Sequence, residues 1–202
     1  MKIICIGRNY LEHIKELKNT SPEEILFFLK PETAIPIKGQ PFFLPDFSSN
    51  IEHEIEIILK INKTGKFIQE KFAKNYFSEI SIGIDFTARD LQEKLKKKGL
   101  PWEPAKSFDG SAVVGKFIPI IDLELKNINF SLYKNGKIVQ KGNTKYMINN
   151  FSKIISYVSK FITLKKGDLI FTGTPSGVST VKKNDHLEGL IENNSLFEIK
   201  VV

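Results

Sequence analysis

Ile51-Glu52-His53-Glu54-Ile55-Glu56-Ile57-Ile58-Leu59-Lys60-Ile61 is the stretch on which the fold class turns. Its residues alternate: His53, Ile55, Ile57 and Leu59 fall on one side, and Glu52, Glu54, Glu56 and Ile58 on the other. That period of two is the pattern of a β-strand. Residues 62–66, with Gly65, read as a hairpin-like turn. A second strand is predicted over 80–86, with Asp85 at its end. Further out, 2–6, 169–171 and 195–202 read as strands. Residues 128–133 and 138–141 form a hairpin pattern around Asn135-Gly136. Helices are predicted at 11–17, at 87–98 with Gly99 closing it, and at 147–161. Another helix start is read at Ser21 as cap with Pro22 in the first position. It runs towards 25–29, which suits either helix or strand. Strands outnumber helices and are short, so the expected class is mixed, mainly β, in one domain over 1–202.

The 202 residues suffice for a core without disulfide or metal staples. A net charge of +7 raises the question of nucleic acid. The charge is spread along the chain, however, and its densest run, 94–98, reads as the solvated end of a helix. No recognition helix or zinc-finger spacing accompanies it, so no nucleic-acid partner is expected. A general attraction for anionic metabolites is the inference that remains. The single cysteine, Cys5, excludes an internal disulfide and reads as a buried thiol. The apolar opening stops at Arg8, too short for a secretory leader. No stretch approaches membrane-spanning length. The expectation is a protein without a membrane partner, cytoplasmic by default.

Glu54 and Glu56 point the same way from one strand. Alone, such a pair is usually a solvated face. Held together the two carboxylates repel, and a bound cation keeps both ionised. Asp85 either caps the following helix or completes the cluster. Three carboxylates suit a hard ion such as Mg²⁺, with Mn²⁺ also acceptable. Zinc suits less well, since there are only three histidines and one cysteine. His13 and Glu16, three apart on a short helix, share a face. They read either as a surface ion pair or as a carboxylate orienting a general base. His53 points away from Glu54 and reads as packing or support, and His186 as part of an exposed turn. Lys106 lies among small and aromatic residues. It is either a surface lysine or a stabiliser of developing negative charge. The loop 172–177 is either a tight turn or a cradle of N–H groups for an oxyanion.

In order and number, these segments resemble the fumarylacetoacetate hydrolase superfamily, in particular its small acylpyruvase and oxaloacetate decarboxylase branch. The likeness runs from Gly7-Arg8-Asn9-Tyr10, His13 and Glu16 through Phe28-Leu29-Lys30-Pro31 and His53-Glu54-Ile55-Glu56. It continues with Asp85-Phe86-Thr87-Ala88-Arg89-Asp90-Leu91-Gln92, then Lys97-Lys98-Gly99-Leu100-Pro101-Trp102 and Ala105-Lys106-Ser107-Phe108-Asp109. It ends with Gly167-Asp168, Thr172-Gly173-Thr174-Pro175-Ser176-Gly177-Val178 and Asn184-Asp185. The resemblance implies a β-roll with short helices, like that family's C-terminal domain, usually as a homodimer. It implies Mg²⁺, sometimes Mn²⁺, on Glu54, Glu56 and Asp85, and a water-activating pair at His13 and Glu16 on a lid-like helix. It places a charge-stabilising lysine at Lys106 and substrate contact at Thr174. Arg8, Lys30 and Gln92 fall where the family lines or supports the site. Gly110, Val113, Ser179-Thr180 and the stretch 143–147 depart from the commoner pattern, which bears on substrate preference rather than on the ligands.

The implied activity is hydrolysis of the carbon–carbon bond of acylpyruvates (2,4-dioxo acids) to pyruvate and a carboxylate. Oxaloacetate decarboxylation fits the same cradle through the same enolate. The alternative is an isomerase or tautomerase of 2-oxo or 2-hydroxydienoic acids, which needs the metal and a base but no attacking water. A protein that only binds small acids would have no use for the complete set.

Overall fold

The stretch 51–61 folds as two strands, not one. The computed structural model describes residues 1–20 and 22–202. In it, Ile51–His53 and Ile55–Ile61 belong to different sheets, and the chain turns at Glu54. Local hydrogen bonds explain the break. The Ile55 N–H donates to Gln140 Oε1 at 3.0 Å, and the Glu54 carbonyl accepts the Asp85 N–H at 2.8 Å. Ile51–His53 lies between Ser179–Thr180 and Thr87–Ala88. Glu54 is therefore the corner between two sheets, beside the end of the strand that carries Asp85.

Ile55–Ile61 runs antiparallel to Phe77–Asp85 on one side and to Leu169–Phe171 on the other. Ile3–Gly7 follows, parallel to Leu169–Phe171, and then Leu26–Lys30. Ala112–Val114 and Ile118–Pro119 pair with Phe77–Asp85. A second, four-stranded antiparallel sheet comprises Lys137–Asn143, Asn129–Lys134, His186–Ile191 and Asn194–Lys200. Ile55, Ile57, Leu59 and Ile61 face the main core with Leu132, Leu187 and the helix residues Ile154, Ile155 and Val158. Each such side chain stabilises the fold by about 1.5–3 kcal/mol on burial. Ile58 faces the opposite way, into a smaller cluster with Ile3, Cys5, Ala112 and Phe171. Glu56 shares that face by alternation, so the acidic residues rim the smaller cluster. The result is the expected mixed fold: a curled β-sheet with short helices.

Two predicted helices change. The cap read at Ser21 lies outside the described residues, and Pro22–Ile25 is not helical. The apolar run behind it becomes the strand Leu26–Lys30, because Ile3–Gly7 offers it an open edge. The helix predicted at 147–161 begins only at Phe151. There the Asn150 side chain accepts the Lys153 N–H at 2.9 Å and sets the start. The helix Arg89–Lys98 ends as expected at Gly99, whose φ of 64° is a conformation that favours glycine.

Candidate metal and substrate site

Glu54 at the sheet corner, Glu56 two residues on and Asp85 at a strand end bring one oxygen each within 4.8 Å of one another. All three side chains are buried. Burial, and then repulsion from Asp85 and Glu54, pushes the Glu56 carboxyl well above the usual range. Glu54 behaves oppositely. Burial disfavours its charge, but Lys106 and Arg89 outweigh that and hold it well below the usual range.

Cations brace this floor. Lys106 comes from a one-turn helix, Glu103–Lys106. Its Nζ donates to Glu54 Oε2 at 2.7 Å, Asp85 Oδ2 at 2.9 Å and Thr87 Oγ1 at 2.6 Å. Burial alone would lower the Lys106 ammonium, yet Asp85 and Glu54 keep it above its ordinary value. Lys30 approaches from beneath, its side chain fully buried. Its Nζ lies 2.8 Å from Asp85 Oδ1 and donates to Ser111 Oγ at 2.9 Å and the Ser111 carbonyl at 3.1 Å. Arg89 donates to Glu52 Oε2 at 2.7 Å and Gln92 Oε1 at 2.6 Å, and pairs with Glu54. The Gly173 N–H donates to Glu56 Oε2 at 2.6 Å. Gly173 has φ +99°, and a Cβ there would stand 2.6 Å from Asn9 Cβ, so the close approach requires glycine.

The floor fits a hard divalent ion. Its donors are oxygens, and Asp85 Oδ1 is buried without a hydrogen bond although Lys30 lies near it. Burying three acids costs heavily unless charge is neutralised, and two of the three already share Lys106. Mn²⁺ at a hundredfold excess over its Kd should therefore raise the unfolding free energy by about 2.7 kcal/mol. Thermal unfolding with and without Mn²⁺ checks this. Glu56→Ala should abolish the rise, and a rise of equal size in that variant would place the ion elsewhere.

The roof is the helix Leu11–Glu16. His13 Nδ1 lies 3.3 Å from Glu16 Oε2, and Glu16 Oε1 accepts the Gly177 N–H at 2.9 Å. The glycine loop thus holds the carboxylate that orients the imidazole. Burial lowers the His13 pKa against opposing pulls from Glu54 and Glu16. A neutral ring that donates its Nδ1 proton to Glu16 leaves Nε2 unprotonated.

His13, Glu54, Glu56, Asp85, Lys106, Arg8, Gln92 and Thr174 line one cleft of about 430 Å³, open mouth included. The Thr174 hydroxyl accepts a hydrogen bond from Gln140 Nε2 at 2.9 Å. Of the residues singled out from sequence, Glu16 sits behind His13, and Lys30 sits under the floor with its donors engaged. His53 is support as expected, its ring nitrogens 2.8 Å from Gln140 Oε1 and from Ser179 Oγ. The cleft also contains Phe28, Trp102 and Lys96. Lys96, expected in the solvated end of its helix, instead lines the cleft. Its spacing of four from Gln92 on one helix face was the available signal. Gln140 carried no sequence signal, since its importance comes from a corner 85 residues away.

The family model described as fumarylacetoacetate (FAA) hydrolase C-terminal matches residues 2–201. The chain is 44% identical over 200 residues to mouse (Mus musculus) "Oxaloacetate tautomerase FAHD1, mitochondrial", covering 98% of this chain and 90% of that protein. It is 43% identical over 183 residues to "Oxaloacetate decarboxylase, mitochondrial" of Dictyostelium discoideum, covering 90% and 84%. Among solved structures, fumarylpyruvate hydrolase from Pseudomonas aeruginosa in complex with Mn²⁺ and pyruvate superposes with a TM-score of 0.93. It is 32% identical, covering 100% of this chain and 89% of that one. These relatives overturn the cytoplasmic expectation, because both curated ones are mitochondrial proteins. The expectation rested on a short apolar opening. That bears on secretion, whereas mitochondrial targeting uses basic amphipathic segments.

Proposed function

This chain belongs to the fumarylacetoacetate hydrolase family, an enzyme family acting on small 2-oxo acids, and from that premise we propose that it is a metal-dependent oxaloacetate tautomerase. The tautomerase alternative thereby replaces acylpyruvate hydrolysis as the leading reading. The observation that carries it is the arrangement of His13, a buried imidazole, across one cleft from the Glu54–Glu56–Asp85 floor. A tautomerase needs a base on one side of the substrate and charge stabilisation on the other.

A divalent ion held by Glu54, Glu56 and Asp85 would supply Lewis-acid stabilisation of negative charge on the 2-oxo oxygen. His13 Nε2 takes a proton from C3. The C–H electron pair becomes the C2–C3 double bond, and the imidazolium returns its proton to the C2 oxygen, which completes the enol and regenerates the neutral ring. The reverse sequence restores the ketone. The Lys106 ammonium, its protons engaged by Glu54, Asp85 and Thr87, would add positive charge to the floor against the developing enolate. Glu16 keeps the imidazole in one orientation and tautomer, and the glycine loop keeps Glu16 in place. No attacking water is required.

The same enolate forms if C4 leaves as CO₂, and the Dictyostelium relative favours decarboxylation as the second reading. One experiment separates them. Enolic oxaloacetate is mixed with the protein and Mg²⁺, following enol absorbance and pyruvate together. A tautomerase removes enol faster than the blank without extra pyruvate. Pyruvate rising in step with enol loss replaces it with the decarboxylase. Pyruvate and acetate from acetylpyruvate, with no effect on the enol, would restore the hydrolase.

A further inference from the structure

The cations of the cleft fall into two groups. Lys30, Lys106 and Arg89 each pair with a carboxylate. Arg8 and Lys96 line the same cleft, yet among the described residues neither has an ion-pair partner. Both are instead tied to one neutral oxygen. Lys96 Nζ donates to Asn19 Oδ1 at 2.7 Å, and Arg8 Nη2 donates to the same atom at 3.4 Å. Arg8 Nη1 also donates to the Thr20 carbonyl at 3.3 Å. Two like charges sharing one amide oxygen repel. Burial, Arg8 and Arg89 together lower the Lys96 ammonium against a weaker pull from Glu93. Arg8 also adopts φ +58°, a left-handed conformation uncommon for arginine. Asn19 follows the His13 helix and donates its N–H to the Ile14 carbonyl at 2.9 Å, so the cation pair is attached to the roof.

We infer that Arg8 and Lys96 form an anion subsite for the distal carboxylate of a dicarboxylic 2-oxo acid. The inference rests on the proposed oxaloacetate reading of the floor and assigns the residues that hold the second carboxylate. A carboxylate between the two cations relieves their repulsion and accepts hydrogen bonds from both. A neutral alkyl tail does neither. The subsite therefore selects the diacid over a monoacid with the same chelating end.

Malate and lactate share a 2-hydroxy carboxylate end and differ in the distal carboxylate, and neither requires turnover. Their affinities for the Mn²⁺-loaded protein are measured by calorimetry for wild type, Lys96→Met and Lys96→Arg. The expected result is tighter malate binding in wild type. The malate-to-lactate preference should fall about tenfold in Lys96→Met, a value set by partial solvent screening. Lys96→Arg should restore most of it. A wild type that binds both acids alike overturns the subsite and leaves the floor reading standing. So does a Lys96→Met variant that keeps the wild-type preference. Failure of both acids to bind wild type overturns the floor reading and the subsite together.

Discussion

Lys30→Met should lower the unfolding free energy by about 3–5 kcal/mol, the cost of leaving one member of a buried ion pair without its partner. For a domain of this size that is a fall in Tm of roughly 10 °C. The effect is large because the other cation on Asp85, Lys106, meets only Oδ2 and is shared with Glu54. Lys30 is fully buried, and its ammonium meets Asp85 Oδ1, the Ser111 hydroxyl and backbone carbonyls, including that of Lys106. Methionine fills the space but offers no donor: Asp85 Oδ1 loses its ammonium neighbour, while the Ser111 carbonyl keeps the Phe86 N–H and the Lys106 carbonyl keeps the Ser111 hydroxyl. Most of the loss should reside in the coupling to Asp85, so a double-mutant cycle with Asp85→Asn is the decisive measurement. The two substitutions together should cost clearly less than the sum of their separate costs. Strict additivity would mean that Lys30 supports the backbone alone and that Asp85 does not depend on it.

His13→Gln should reduce kcat for enol–keto conversion by about 10²–10⁴, the usual contribution of a positioned proton-transfer group. Glutamine retains a polar side chain of similar reach but cannot accept the proton. Because burial lowers the His13 pKa, the imidazole is neutral and competent at lower pH than an exposed one. The acid limb of kcat/KM should fall below about 6.5, the ordinary imidazole value, and vanish in the variant. A kcat within twofold of wild type would remove His13 from the proton path.

The acids of this site were legible in the sequence because their chemistry follows local geometry. Glu54 and Glu56 are two apart in an alternating stretch, and Asp85 closes an apolar strand; both cues survive without tertiary knowledge. The sheet corner was not legible. Residues 51–61 alternate without interruption, and the break at Glu54 depends on the Gln140 side chain and on the Asp85 N–H, both remote in sequence. The division of labour among lysines was equally hidden. Lys30 and Lys106 look alike on paper. Both spend their donors on the floor, but Lys30 does so from beneath and Lys106 from the cleft side, a difference made by the packing of Leu26–Lys30 against the segment around Ser111. Residues 26–30, which suited either helix or strand, form a strand because Ile3–Gly7 offers an edge to pair with.

Glu16 uses its two oxygens for two purposes, one towards His13 and one towards the Gly177 N–H. The consequence is one of fidelity. In the proposed mechanism the aim of the His13 imidazole depends on the hydrogen bond that fastens its helix to the glycine loop. On the proposed reading, the loop whose Gly173 N–H holds Glu56 in the floor also aims the imidazole through Gly177 and Glu16, so one loop sets both sides of the cleft.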